Sequence, residues 1–582
     1  MTVSPKTARK RRLPTRKAAL VFRGKAALLQ LRRAVVDFAD RTVERHAKES
    51  ELTSQPVIAV SKTLLWTESA PEERFLLAGK IHNLRLAVRE LDGIEIPAGK
   101  TFSFWKQLGR AGRFNGYVKG RELREGCIIP NIGGGLCQIS NALYDAALQA
   151  GFEIVERHPH TQVIPGSLAE QGRDATVFWN YIDLRFRSDN AFRIDAKLDG
   201  ESLTVQFRGE KNGRKQLHQI NRTFVHADSP NSCATCEVGD CLRVVDSKAH
   251  TDFGRRAYLL DEFMPEFDRY VNERRTEKDR LLIPLDGRRF RKGNYAWTTA
   301  GFGSVSQSLL VTAKRSYRSR KLSAQGAARQ INLLAMYEEL AESYARRLSF
   351  DALHVVVQQS LLPFLWKKGH LGGRTFDVLM TALPMAEIQK KLDLAHSLHR
   401  KSKTLGDFRA DASLVAAETD ALEAAAKIIT PHSGIASLFP NQAELIEWKT
   451  PVAKPRGLVK SEKPQIVFPS STVGRKGCYE LREAVLGLDV KLILHGPLVE
   501  GADFWNGFDT ERGGDDWPQS ADLVVLPAII EHKPRRLLLA AASGIPVIAS
   551  HACGVDRVPG ISTIEAGDAD SLRKEILAAL GR

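Results

Sequence analysis

The last third of the chain alternates two textures. Continuous apolar runs of strand length, "PQIVFPS", "VKLILHG", "ADLVVLP" and "IPVIAS", are separated by segments with helical spacing such as "CYELREAVLGL" and "KPRRLLLAAASG". Runs that are apolar on both faces and joined by helices predict a buried parallel sheet. The texture begins near residue 281. There "LHVVVQQS" is a β-branched run followed by a helical stretch, and "AETDALEAAAKIITPHS" reads as a helix leading into a strand and a stop. The predicted architecture of this half is doubly wound α/β.

Upstream the pattern changes. Residues 76–220 carry glycine turns and short alternating strands, which predicts an α+β domain. In "FRIDAKLDGESLTVQF", Phe192, Ile194, Ala196 and Leu198 alternate on one arm and Leu203, Val205 and Phe207 on the other. Asp199-Gly200 between them predicts a hairpin turn. Residues 1–75 read as helical and basic, and 221–280 as a polar, cysteine-bearing linker. The expected organisation is therefore 1–75, 76–220, 221–280, 281–455 and 456–582, an α/β multidomain protein.

A chain of 582 residues exceeds what a single core supports. With 43% hydrophobic and 26% charged residues, general disorder is excluded. The net charge of +17 is concentrated at the start, where no acidic residue precedes Asp37. Two readings stand: a solvated basic arm, or a helix on an anionic membrane surface, anchored by "ALVF" and "ALLQL". No base-reading motif supports nucleic acid as a partner. The basic run lacks the apolar core and cleavage site of a secretory signal, so the expected location is cytoplasmic, peripheral to the inner face of the membrane.

Seven cysteines in this length do not make a disulfide scaffold. Three of them, Cys233, Cys236 and Cys241, form a C-x2-C-x4-C pattern in a polar segment. Such spacing suits zinc or an iron–sulfur cluster, with His226 or His250 completing the set. Redox-active thiols in a loop are the alternative.

Another cysteine stands in "NIGGGLCQIS". After Cys137, residues Ile139, Leu143 and Ala147 recur at helical spacing, and Gly151 supplies a stop. Cys137 should open a helix behind a glycine loop. Converging amides and a helix N-terminus both favour thiolate over thiol, or a bound anion. His158 and His160 in "ERHPHTQV" and Asp174 in "GRDATVFWNY" are candidates to complete a nucleophile–base–orienter set. A tight turn with a small packed cysteine is the competing reading.

The stretches "PAGKTFSFWKQLGRAGRFNGY", "GGGLCQISNALYDAAL", "EIVERHPHTQV" and "GRDATVFWNYIDLRF" together resemble the VanW family, over roughly residues 78–210. The resemblance implies a link to the cell envelope and to vancomycin resistance. Residues 460–582, in the order "IVFPSSTVGRKGCYELREAV", "KLILHGP", "ADLVVLPAIIEHKPRRLLLAAASGIPVIAS", resemble the C-terminal domain of retaining GT-B glycosyltransferases. That resemblance implies a nucleotide sugar as donor and a metal-independent transfer. Arg475, Lys476 and Gly477 would meet its phosphates, and Glu531 would grip ribose or sugar hydroxyls. A second family glutamate is replaced here by Leu539. The expected function is sugar transfer to a cell-envelope glycan or glycolipid. The alternatives are a Cys137-dependent acyl-transfer or amidase enzyme and a non-catalytic envelope-glycan-binding protein.

Overall fold

The structure is a computed structural model. It describes residues 15–66, 71–124, 127–160, 168–211, 231–232, 254–321, 327–453, 462–514 and 516–581. The chain divides into two compact units. The first comprises Met1–Arg255, Ser349–Leu353 and Lys368–Arg374, and the second Arg256–Leu348, His354–Lys367 and Thr375–Arg582.

The first unit is α+β. Its largest sheet is antiparallel, in the order Val57–Leu64, Ser202–Gly209, Phe192–Leu198, Ile94–Ile96. The hairpin forms, with Ile194 opposite Phe207, Ala196 opposite Val205 and Leu198 opposite Leu203. Its alternating apolar residues are all buried, because a period of two puts them on one face. Phe192 and Phe207 join Phe152 and Phe186 in a ring cluster, with centroids 4.6 to 6.3 Å apart. All four rings are fully buried, and contacts of this kind add about 0.5–1.5 kcal/mol per pair beyond burial.

Two departures from the sequence reading follow from long-range pairing. Residues 1–75 are not helical throughout. The helix Arg16–Ala39 is followed by the strand Val57–Leu64, whose β-branched run pairs with Ser202–Gly209 far along the chain. A second helix, Pro71–Leu91, crosses the expected boundary at residue 75. Leu77, Ile81, Leu84, Val88 and Leu91 line its buried face at helical spacing. Among the described residues, no helix is long and apolar enough to cross a membrane.

The glycine triplet has a steric explanation. Gly133 and Gly135 have φ of 76° and 98°, in the left-handed region that favours glycine. Gly134 lies against another backbone segment, where an added Cβ would sit 2.5 Å from the carbonyl of Gly120. The buried Asn83 side chain donates to the Gly134 and Val118 carbonyls, at 2.9 and 3.0 Å, and ties the two segments together. The Gly133 and Gly134 amides donate to the Val118 and Asn131 carbonyls, so these two are committed within the turn.

Late segments of the chain complete this unit. The buried Arg85 donates from Nε to the Gly372 carbonyl at 2.7 Å, and the Gly373 amide donates to the Asp199 carbonyl at 2.9 Å. Arg374 donates to the carbonyls of Ser349, Ala352 and His370. His370 and the Gly372–Gly373 pair are thus packed into the first unit.

The second unit contains two parallel sheets. The first has the strand order Ser304–Gln307, Arg280–Ile283, Arg256–Leu259, His354–Gln358, Thr375–Leu379, Lys427–Thr430, Ala443–Leu445. The second runs Thr510–Arg512, Lys491–Leu494, Gln465–Phe468, Leu523–Leu526, Val547–Ser550, Ile561–Ile564. In each, chain order reverses beside the first strand, the Rossmann-like 3-2-1-4-5-6 pattern, which the first sheet extends by one strand. The apolar runs noted in the sequence are these strands, and Leu523–Leu526 and Val547–Ser550 are buried along their whole length. The first sheet starts earlier than expected. Arg256–Leu259 and the helix Pro265–Arg274 fall inside 221–280, where polar flanks give a short strand the look of a linker. Two Rossmann-like sheets in succession are the architecture expected of a GT-B module.

Gly134→Ala should destabilise the first unit by about 1–3 kcal/mol, because its Cβ has no room. Gly112→Ala should be silent: Gly112 has φ of −116°, and a methyl group added there would meet nothing within 4 Å. Hydrogen exchange across residues 119–149 in the two variants checks both outcomes.

Candidate functional sites

Cys137 is the first residue of the helix Cys137–Gln149, as its position after the glycine turn predicts. It is partly buried and its thiol is free. The helix is anchored through its first turn. Ser140 donates to the Ala175 carbonyl at 2.6 Å, and Asn141 accepts from the Ala175 amide at 2.8 Å. These bonds bring the segment holding Asp174 beside the thiol.

Asp174 is 3% exposed and fully engaged. One carboxylate oxygen accepts from Arg157 at 2.7 Å. The other accepts from the backbone amide of His160 at 2.6 Å and meets its Nδ1 at 2.7 Å. Burial favours the neutral acid, but the bonds from His160 and the Arg157 charge outweigh it and hold the carboxyl below its usual range. The His160 ring is bonded to Asp174, and the Cys137 thiol lies close enough to act on its charge. With Nδ1 on the carboxylate, Nε2 is the ring nitrogen not committed to Asp174. Burial opposes protonation of this imidazole, yet Asp174 and Cys137 prevail and its pKa is pushed up to about 10.

Of the two histidines singled out in the sequence, only His160 joins the set. His158 is half-exposed and lies 3.2 Å from Glu156. Its carbonyl accepts from the Thr176 amide, which pairs the histidine segment with the aspartate segment. Arg157 is a member that sequence reasoning misses. It holds Asp174 through both carboxylate and carbonyl and lies 5.1 Å over the Tyr144 ring. Its place one residue before His158 carries no signal that it faces inward.

The second site lies at the carboxyl ends of the last sheet. A pocket of about 300 Å³ opens between the loops that follow Gln465–Phe468 and Leu523–Leu526, the point where strand order reverses. Ser470, Ser471, Glu531, Lys533, Arg535 and Arg536 are among the residues that line it. The helix Arg535–Ala542 starts at its wall, so the positive end of the helix points there.

Glu531 is held on several sides. Its carboxylate accepts from Lys476 Nζ at 2.8 Å and from the amides of His532 and Lys533 at 2.8 and 2.9 Å. Burial works against its charge, but Lys476 and these amides dominate, and the pKa is held down at about 2. His432, which follows the strand Lys427–Thr430, accepts the Ile435 amide on Nδ1 and meets the carbonyls of Glu531 and Ala552 at 3.2 Å. Burial lowers its pKa and keeps it neutral. His432 therefore fixes the Glu531 loop from the other sheet, a role its place in "ITPHS" does not reveal.

The basic pair expected at the phosphates is placed otherwise. Lys476 is engaged by Glu531 and the Ile530 carbonyl, and Arg475 lies 4.4 Å over the Phe408 ring. Neither lines the pocket. Gly477 has φ of 75°, and a Cβ there would collide with the Pro527 carbonyl, so this glycine allows close packing of helix on strand end. The cations at the pocket are Lys533, Arg535 and Arg536 instead. Leu539 packs against the core of the sheet.

Cys233, Cys236 and Cys241, with His226 and His250, lie outside the described residues. Among the described residues, Glu49, Glu51 and Glu95 come close enough to share a cation. Arg193 already pairs with Glu95 at 3.0 Å.

The family model described as "VanW like protein" matches residues 79–208. The chain is 34% identical over 137 residues to the vancomycin B-type resistance protein VanW of Enterococcus faecalis, covering 23% of this chain and 50% of that protein. It is 35% identical over 126 residues to the uncharacterised protein YoaR of Bacillus subtilis, covering 21% and 41%. The chain thus spans half or less of the length of these curated relatives. Similar solved structures include a sucrose-phosphate synthase from Thermosynechococcus elongatus, at 17% identity, 43% and 69% coverage and a TM-score of 0.33. Another is WaaG, a glycosyltransferase involved in lipopolysaccharide biosynthesis, at 15% identity, 56% and 90% coverage and a TM-score of 0.32. Residues 79–208, which carry Cys137, His160 and Asp174, are a VanW-like domain.

Proposed function

We propose that the second unit is a glycosyltransferase that moves a sugar from a nucleotide sugar to a cell-envelope glycan or glycolipid. The observation that carries this reading is the pocket at the reversal point of the last sheet. It joins a cationic wall and a helix N-terminus to a fixed carboxylate. A nucleotide sugar needs both kinds of group. Its diphosphate suits Arg536, the two serines and the helix end, and its hydroxyls suit the Glu531 carboxylate. Lys476 keeps that carboxylate ionised and aimed. Transfer of the retaining GT-B type, without a divalent metal, fits a site in which cations and helix dipole stabilise the departing diphosphate. Leu539 leaves the donor to be held by one carboxylate.

The basic helix supports work at a membrane face. Arg16–Ala39 uses one side to dock on its own unit, where Gln30 donates to the Trp179 carbonyl and Arg33 pairs with Glu156. Leu28, Leu31, Val35 and Phe38 are exposed on the same helix as Arg16, Arg23, Lys25 and Arg32. Apolar and cationic side chains exposed together suit an anionic lipid surface, here the inner leaflet where a lipid-linked acceptor would lie.

Titration calorimetry with a panel of nucleotide sugars tests the donor site. Wild-type protein should bind at least one of them. Arg536 is exposed and donates to the Pro469 carbonyl, and Arg536→Ala should weaken that affinity about tenfold, or ~1.4 kcal/mol. Release of radiolabelled sugar should fall with it. If no nucleotide sugar binds, or if Arg536→Ala binds unchanged, the reading is wrong.

Glu531 also sets a pH window. Its folded pKa of about 2 lies below the ordinary 4.5, so its contribution to stability is complete above pH 4.5 and is lost as pH falls towards 2. Acid unfolding of Glu531→Gln should lack that part of the wild-type slope. Donor affinity should show no inflection from this carboxylate between about pH 5 and 8.

A further inference from the structure

The first unit holds a set of groups for which sugar transfer has no use. A free thiol opens a helix whose first turn is bonded to residue 175, and the neighbouring Asp174 is a buried carboxylate that holds the Nδ1 of His160. We propose that the VanW-like domain is a second catalytic centre, a thiol acyl-transfer site that takes an acyl group from an amide or ester donor onto Cys137.

Each part has a placed role. Asp174 fixes the tautomer and orientation of His160 through two bonds, to the ring and to the backbone amide. Arg157 in turn holds Asp174, and it is locked over Tyr144. Asp174 and Arg157 are positioning residues, while Cys137 and His160 meet the reacting atoms. The glycine turn and the bonds of Ser140 and Asn141 to residue 175 hold the helix end against the aspartate segment. A buried structural cysteine needs none of this support. Cys127, Cys478 and Cys553, the other described cysteines, are buried, and burial pushes the thiols of Cys478 and Cys553 up.

The step balances without a co-reactant beyond the acceptor. The Cys137 thiolate attacks the acyl carbon and a C–S bond forms. The C–N or C–O bond to the leaving group breaks, and the proton on His160 passes to the departing amine or alkoxide. Water or an acceptor amine then attacks the thioester, gives its proton to His160, and the C–S bond breaks to restore the thiolate. Nothing is oxidised or reduced. The protonated imidazole suits amides in particular, whose amine must leave with a proton.

The charged group on the His160 ring is Asp174, with Arg157 on its other oxygen, while Glu156 is paired with Arg33, His158 and Arg185. His158 is an internal control, since it shares the segment but is half-exposed and bonded elsewhere.

The full-length protein is treated with p-nitrophenyl acetate and, separately, with iodoacetamide between pH 6 and 9. Wild-type protein should release a stoichiometric burst of p-nitrophenolate and carry one hydroxylamine-labile acetyl group on Cys137 by peptide mass spectrometry. Iodoacetamide should label Cys137 ahead of the buried Cys127, Cys478 and Cys553. His160→Gln should slow both reactions at least tenfold, and His158→Gln should change neither. Asp174→Asn should steepen the pH dependence of labelling, a readout that a loss of packing alone does not move. Where Asp174→Asn does not fold, His160→Gln decides. The absence of a hydroxylamine-labile acetyl group on Cys137, or acylation unaffected by His160→Gln, overturns the proposal.

Discussion

The Asp174 carboxylate is the fixed point of the first unit. It is almost wholly removed from water, and a carboxylate so placed persists only when its lone pairs are satisfied. Arg157, the His160 amide and the His160 ring satisfy them. That one group therefore determines where the segment after Glu153–Glu156 turns, which way the imidazole faces, and how residue 175 meets the Cys137 helix. Removing it would leave the Arg157 guanidinium with backbone carbonyls only, and the His160 ring untethered.

The second unit solves a similar problem differently. Glu531 is held by a lysine from its own sheet and by backbone amides of its own loop, and His432 braces the loop from the neighbouring sheet. Glu266, which is fully buried, adds a bidentate pair with Arg535 at 2.6 and 2.5 Å. The two sheets of this unit thus meet through charged groups that also border the pocket. Displacement of one sheet against the other would have to expose or re-pair them.

What is legible in the sequence is what is local or periodic. The parallel strands announce themselves as runs apolar on both faces, and the hairpin as two alternating arms around Asp199-Gly200. Cys137 at a helix start follows from glycine and spacing alone. The failures share a cause: they depend on partners distant in the chain. Val57–Leu64 is a strand because Ser202–Gly209 lies beside it, and Arg256–Leu259 because His354–Gln358 does. The spacing of Lys476 suits a phosphate ligand, but its ammonium finds Glu531. Choosing His160 over His158 requires knowing which side of the chain Asp174 approaches.

The return of Ser349–Leu353 and Lys368–Arg374 to the first unit has a consequence for how the protein is made. Domains commonly fold in the order in which they leave the ribosome. Here residue 255 emerges long before the unit it belongs to is whole. Until residue 374 is out, Arg85 has no Gly372 carbonyl to meet, and the hairpin turn at Asp199 lacks its Gly373 donor. The first sheet of the second unit is synthesised in the meantime, so the two units must mature together rather than one after the other. A nascent chain stalled between them would carry an unfinished first unit, which makes this stretch of translation the window in which chaperone help matters most.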